Sequence, residues 1–286
     1  MSRPRTGFPR RTSRLSRAGG SAASSAEDTA VRADGVDLTA VLGPVRSQNA
    51  FEETVERLLA VIKLGVVGPG ERFPAERELA ALLGVSRITL REAIGDLRNA
   101  GYVESRRGRF GGTFVTYTPP APSRVELRRI AVEDADKIND ALTFRMAVET
   151  GAAQILAQAG DGDGDGDGDG DGRDGGGAQV HDVLLTRLSA VNGASPEDYR
   201  RMDTLFHLAI AELTGSSLLA VACADARVRL NDLLNAIPVL QHNIDHTAAQ
   251  HTAIVEAILA GDPRRAQQAV AEHLDGTAAL LRGFLE

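Results

Sequence analysis

The chain is poor in cysteine: Cys223 is the only one in 286 residues. No disulfide can form within one chain, a zinc cluster built on cysteines is excluded, and a reducing, cytoplasmic setting is expected. Long apolar runs are missing as well. None approaches the roughly 20 residues that span a bilayer, so a membrane-spanning role is excluded. The first 26 residues hold six arginines and no acid. No apolar core of a secretory signal follows them. Residues 1–47 are therefore expected to form a disordered basic tail, adding at most a weak, non-specific pull on phosphates. An overall positive charge is lacking too, since the net charge is −7. Its distribution matters more than its sum. Residues 1–50 carry eight basic and four acidic side chains, residues 51–117 ten and nine, and residues 118–286 fourteen and twenty-six. The acidity thus sits in the C-terminal part and leaves the N-terminal part free to meet an anionic partner.

What is present reads as a mainly α protein in two parts, at a length that accommodates two ordinary domains. A first helix is expected over 51–65, with Phe51, Val55, Leu58, Leu59 and Ile62 on one side, ended by Gly65, Gly68, Pro69 and Gly70. A second runs from about Ala75 to Leu83. After the short turn Gly84-Val85, Ser86 is a good N-cap for a third helix that stops near Gly101. Tyr102 to Ser105 and Thr113 to Thr116 read as strands joined by the Gly-rich basic tip Arg106 to Gly112. Pro119, Pro120 and Pro122 mark a stiff linker over 119–130. From about Ala131 only helical patterns remain, and a bundle of six or seven helices is expected over 131–286. Ser195-Pro196-Glu197-Asp198 starts one helix, and Gly261-Asp262-Pro263 ends one and begins another. Within the bundle, 160–177 is expected to be a solvated loop, because Asp161 to Gly172 is six consecutive Asp-Gly pairs that cannot bury apolar surface. Its alternating acids suggest calcium, but the Glu that closes an EF-hand loop is missing.

The third helix divides its faces clearly. Leu90, Ala93, Ile94 and Leu97 make one buried stripe, while Arg87 and Arg91 lie one turn apart on the polar face with Thr89 nearby. Polar and cationic groups at the start of the second helix of a helix-turn-helix suit reading of the major groove, where an arginine can engage both acceptors of a guanine edge. Arg77 can hold a phosphate, and the tip Arg106-Arg107-Gly108-Arg109 suits a wing in a narrow groove. A solvated basic face would explain any one of these arginines. It does not explain the ordered series of helix, tight turn, capped basic helix and basic hairpin. This series resembles the winged helix-turn-helix of the GntR family over about 48–118. The resemblance is carried by Pro74 to Ala80, Leu83-Gly84-Val85-Ser86-Arg87, Leu90-Arg91-Glu92-Ala93, Leu97, Gly101-Tyr102-Val103 and Gly111-Gly112-Thr113-Phe114-Val115. It implies that Arg77, Ser86, Arg87, Thr89, Arg91, Arg107, Gly108 and Arg109 contact a double-stranded DNA operator. Ala75 stands where the family usually has a serine cap and Phe73 where it usually has leucine, and neither lies on that face.

Five of the six histidines lie after position 200. Asp203 and His207 are spaced i, i+4 and share one helix face. His251 lies 11 residues before Asp262 and His273 lies 11 after it. A tight antiparallel turn at Asp262 would bring these two histidines to equal height. One Asp and three His are plausible ligands for a borderline divalent metal such as zinc, nickel or manganese. The alternative is ordinary core or surface histidines: His181 and His242 are assigned to that class, and His246, i+4 from His242, offers a competing pair. Phe144-Arg145, Glu149, Asp203 to His207, His251 to Ile254, Gly261-Asp262 and His273 resemble the FCD effector domain of FadR-like GntR regulators. The resemblance implies an all-helical bundle, a metal held by Asp203, His207, His251 and His273, and a small organic acid whose carboxylate meets Arg145. Gly215-Ser216-Ser217 stands where the family often has Gly-Asn, and the Asp-Gly insert is a further departure.

The expected function is a homodimeric regulator, repressor or activator, that binds a short inverted repeat under control of a small carboxylate effector. Two alternatives are a regulator that senses the metal itself and a metal-dependent hydrolase fused to a DNA-binding part. The second lacks the His-Glu-x-x-His signature, so the chain is not expected to be an enzyme.

Overall fold

A computed structural model of the chain describes residues 32–33, 36–37, 49–118, 125, 129, 135–160, 174–236, 239 and 241–285. The N-terminal part is built on three helices. Helix α1, Ala50–Lys63, is capped by Asn49, whose side chain accepts from the Glu52 amide, and carries Glu52 and Glu53 in its first turn, where they oppose the helix dipole. It buries Leu58, Val61 and Ile62. Helix α2, Glu76–Leu83, ends at Gly84, whose φ of 67° is the left-handed cap that glycine adopts without strain. That cap sets the turn before α3, Arg87–Asn99, and α3 buries Leu90, Ala93, Ile94 and Leu97 as the sequence pattern requires.

Strands Val103–Arg106 and Gly112–Val115 then pair antiparallel, with Val103 opposite Val115 and Arg106 opposite Gly112. The preceding loop adds a third edge: the Phe73 amide donates to the Thr113 carbonyl at 2.9 Å, and the Val115 amide to the Glu71 carbonyl at 3.0 Å. The wing is thus sewn to the start of α2.

The C-terminal part is a bundle of six helices among the described residues: α4 (Ala135–Gly160), α5 (Asp174–Asn192), α6 (Tyr199–Leu213), α7 (Ser217–Ala236), α8 (Gln241–Leu259) and α9 (Pro263–Leu285). Helix α4 packs against α6, α7, α8 and α9. Enclosed on most sides, it carries Arg145 and Glu149 into the interior along with Ala152, Ala153, Leu156 and Ala157. Helices α8 and α9 form the antiparallel pair expected around Asp262: the Asp262 carboxylate accepts from the Arg265 amide at 2.9 Å and caps α9. No helix among the described residues is long and apolar enough to cross a membrane.

Three boundaries differ from the sequence reading. Inside the expected basic tail, Arg32–Ala33 pairs antiparallel with Val36–Asp37. The signal was the Asp34-Gly35 dipeptide, a favoured two-residue hairpin loop that the surrounding composition obscured. In the expected linker, Val125 and Arg129 are helical and exposed, whereas its three prolines lie outside the described residues. The solvated loop is shorter than 160–177: α4 includes Gly160 and α5 begins at Asp174. Glycines there weigh against a helix by about 1 kcal/mol each. The long helix that continues from them supplies the compensating contacts. Residues 161–173 lie outside the described residues.

Candidate functional site

The start of α3 is open to solvent. Arg87, Ile88 and Arg91 are exposed and Thr89 is half-buried. Ser86 holds the helix end, its Oγ accepting from the Thr89 amide at 3.0 Å and lying 2.9 Å from Thr89 Oγ1. Arg77 is exposed on α2, and Arg107, Gly108 and Arg109 are exposed at the wing tip. Arg77, Arg87, Arg106 and Gly108 line one groove, so α2, α3 and the wing share a concave face. Arg91 lies exposed on the polar face one turn from Arg87, and its Nε donates to Glu76 at 2.8 Å. Both groups are solvated, and such a pair is worth at most about 1 kcal/mol, so a phosphate or base edge can displace Glu76. Arg106 stacks 4.2 Å from the Phe114 ring centroid and donates to Glu104 at 2.7 Å, which stiffens the base of the wing.

In the bundle the structure brings Asp203, His207, His251 and His273 together from three helices. One ligand atom of each lies within 4.8 Å of the others. All three histidines are buried, and the α8–α9 pair sets the rings of His251 and His273 4.7 Å apart. His246 stands outside this group and is exposed.

The tautomers follow from the neighbours. His207 Nδ1 stands 2.9 Å from Glu149 Oε2, and His273 Nδ1 3.2 Å from Gln250 Oε1. Each acceptor fixes a proton on Nδ1 and leaves the lone pair on Nε2. The two Nε2 atoms then face each other at 3.2 Å, lone pair to lone pair. His251 Nε2 lies 3.3 Å from Asp203 Oδ1, and neither of its ring nitrogens makes a well-aligned hydrogen bond. Buried acceptors turned on one another are costly unless a cation stands between them. Ligand atoms around one ion at bond lengths of about 2.0–2.1 Å stand roughly 3 Å apart, close to these separations.

Burial pushes His207 down to about 4, with Arg227 adding to the shift. Burial also holds His273 well below its usual value, aided by His207 and His251. Both are therefore neutral near pH 7, the form that binds metal. Burial alone would raise Glu149 and Asp203. Arg145 and Arg227 hold Glu149 well below the usual carboxylate range, and Arg227 foremost holds Asp203 there. The donor set fits a divalent ion.

A cavity of about 240 Å³ opens on this cluster, lined by Arg145, Arg200, Asp203, Arg227 and His273 on its polar side. Arg145 Nε donates to Glu149 at 2.9 Å, so the i+4 carboxylate is its structural partner. Even so, Arg145 Nη2 is buried without a hydrogen-bond partner.

Residues 51–115 match the family described as bacterial regulatory proteins, gntR family, and residues 176–276 match the FCD domain. The chain belongs to the GntR family of transcriptional regulators and carries a C-terminal FCD domain. Its relatives agree. It is 29% identical over 229 residues to the HTH-type transcriptional regulator named RmpR of Mycobacterium gastri, covering 77% of this chain and 76% of that one. It is 29% identical over 256 residues to the protein of Escherichia coli strain K12 named as the L-lactate dehydrogenase operon regulatory protein, covering 82% and 87%. The HTH-type transcriptional repressor NanR of Salmonella arizonae is 26% identical over 257 residues, with coverage of 84% and 88%. Among solved structures, Escherichia coli McbR/YncC is 19% identical at a TM-score of 0.44, covering 85% of this chain and all of that one. Family and relatives identify a DNA-binding regulator of transcription and not an enzyme.

Several residues of this GntR-family chain escaped the sequence reading. Arg227 of α7 is buried and bridges two carboxylates: Nε donates to Glu149 at 2.9 Å and Nη1 to Asp203 at 3.1 Å. Arg200 precedes Asp203 by three positions and lines the cavity. Asn231, one turn beyond Arg227, lines the same cavity, and its Nδ2 donates to the Lys63 carbonyl at the end of α1 at 2.7 Å. Ile88 is 71% exposed at the head of α3, an apolar side chain with no core to join. Only Ile88 had a local signal, a β-branched residue among polar ones at a helix start. The others depend on contacts between helices distant in sequence.

The FCD domain grips the DNA-binding domain at the same end. Arg201 Nε donates to the Gly65 carbonyl at 2.7 Å and Nη2 to Glu71 at 2.8 Å. Gly65 has a φ of 70°, and a Cβ there would come within 3.2 Å of Arg201, so two demands fix glycine at this position. Arg57 of α1 also pairs with Asp225 of α7 at 3.2 Å.

Proposed function

We propose that this regulator binds a short inverted repeat as a homodimer, and that a small carboxylate beside a divalent ion in the FCD domain controls that binding. Arg87, Thr89 and Arg91 are proposed to read the major groove. Ser86 fixes the helix end and turns its exposed side to the backbone. Arg77 holds a phosphate, and Arg107, Gly108 and Arg109 enter the neighbouring groove. Ile88 supplies apolar contact to a thymine methyl group.

Asp203, His207, His251 and His273 are proposed to hold the ion, whose contribution is positive charge and an open position for an acid oxygen. Glu149 and Gln250 orient His207 and His273. Arg145, through Nη2, receives the acid. A carboxylate is favoured over sensing of the metal alone because the arginine donor beside the cluster is left without a partner. The charge of Arg145 is met by Glu149, but a buried N–H donor left over needs an acceptor, and a ligand carboxylate oxygen supplies one.

The observation that carries control is Asn231. It walls the cavity and also holds the Lys63 carbonyl at the end of α1, so a ligand that displaces or tightens it acts on the DNA-binding domain directly. Arg200 and Arg201 have the same arrangement, one facing the cavity and its neighbour clamped to Gly65. Linkage requires that the ligand favour one of two arrangements of this joint.

The test is operator affinity with and without L-lactate, the probe suggested by the name of the Escherichia coli relative, and with and without succinate. In Asn231→Ala, basal affinity is expected to stay within about fivefold, because the lost hydrogen bond contributes about 1 kcal/mol. The response of affinity to the acid is expected to vanish while the acid still binds. A variant that responds as the wild type does would remove Asn231 from the route.

A further inference from the structure

Two guanidiniums in the cavity wall have buried nitrogens without a hydrogen-bond partner among the described residues. Arg145 Nη2 and Arg200 Nε both lack a hydrogen-bond partner, and both residues line the cavity. Arg227, the third arginine there, is fully engaged. Its Nε and Nη2 donate to Glu149 at 2.9 and 3.4 Å, and Nη1 reaches Asp203 and Thr204 at 3.1 and 3.4 Å.

Charge points the same way. Three guanidiniums, Arg145, Arg200 and Arg227, face two carboxylates, Glu149 and Asp203. Glu149 is shared between Arg145 and Arg227, and Asp203 pairs with Arg227. Arg200 is the cation left over, and a divalent ion on the histidine cluster would add two further positive charges. A single carboxylate on Arg145 leaves the half-buried Arg200 only the field of Asp203, which is already paired with Arg227, to offset its charge. Leu234, Val239 and Leu280 give the lining an apolar portion. A buried charge requires a partner, and methylene groups fit such a surface.

We propose that the ligand is a short dicarboxylate, one acid group held by Arg145 and the other by Arg200, with its apolar spacer against Leu234, Val239 and Leu280. This rests on the reading of the cavity as a carboxylate site and narrows it from one acid group to two. Arg200 is then the residue that decides specificity. Removing it affects only ligands that reach it, whereas removing Arg145 affects every acid.

The experiment is calorimetric titration of the full-length protein, its metal content measured, with acids matched in chain length: succinate against butyrate, glutarate against valerate, and adipate against hexanoate. The series covers spacer length. In wild type the best dianion is expected to bind about tenfold or more tighter than its monoanion partner, the scale of one hydrogen-bonded charge. In Arg200→Gln that ratio should fall to about one with the monoanion's affinity unchanged. Arg200→Lys should keep part of the preference. Arg145→Gln should weaken both members of each pair. Melting curves of the variants without ligand establish that each is folded, and Arg200→Lys stands in if Arg200→Gln is not. A wild-type ratio near one for every pair, or a preference that survives in Arg200→Gln, overturns the dicarboxylate assignment and leaves the carboxylate site standing. If no acid of either kind binds the wild type, both fall.

Discussion

Arg87→Ala is expected to abolish discrimination between the operator and a scrambled duplex while leaving the fold intact. The side chain is exposed at the first position of α3 and takes no part in the stripe of Leu90, Ala93, Ile94 and Leu97 that holds the helix down. Its loss removes a contact and no packing. A bidentate base contact is worth about 1–3 kcal/mol, or roughly 5- to 150-fold in affinity per half-site. Two half-sites of a dimer would compound it. Arg77→Ala should behave differently, weakening operator and scrambled DNA alike and lowering the dependence on salt, as for a phosphate contact. Anisotropy titrations against a duplex selected from random DNA separate the two effects. Unchanged discrimination in Arg87→Ala, with the same melting temperature, would take α3 out of the recognition role.

Removal of the metal is expected to lower the melting temperature of the FCD domain by about 8–16 °C. The proposed ligands come from α6, α8 and α9, so one ion would join three helices that otherwise turn histidine lone pairs toward one another. An ion at about a thousand times its dissociation constant stabilises by about 4 kcal/mol, and each kcal/mol moves a domain of this size by about 2–4 °C. Calorimetric scans with chelator, and again after the ion is restored, give the shift. A transition that neither treatment moves would mean that the histidines are a neutral core cluster.

The parts of this protein legible in its sequence are those governed by local rules. Helix α3 was readable because a serine cap, a 3.6-residue apolar stripe and a basic face coincide within 13 residues. The meeting of His251 and His273 was readable because a Gly-Asp-Pro turn converts equal spacing along the chain into equal height in space. The parts not legible are set by pairs distant in sequence. Arg227 meets Glu149 across 78 positions, Arg201 meets Glu71 across 130, and Asn231 meets Lys63 across 168. No periodicity marks such residues, because a buried arginine on a helix looks like any surface arginine until its carboxylate is placed. Arg91 illustrates the same limit on a smaller scale. Its helix face was evident, but Glu76 belongs to the helix before it, and only the crossing of α2 and α3 brings the two within 2.8 Å.

Asp203, His207, His251 and His273 are proposed to hold one divalent ion at the wall of the ligand cavity. Elemental analysis of protein purified without a histidine tag tests it most directly. Wild type and His246→Ala should each carry one equivalent of metal per chain, since His246 stands outside the cluster. His251→Ala and His273→Ala should carry almost none, because each loses a nitrogen that converges on the others and cannot be replaced from neighbouring side chains. Equal metal content in all four proteins, or none in the wild type after purification in the presence of zinc, nickel and manganese, would contradict the account.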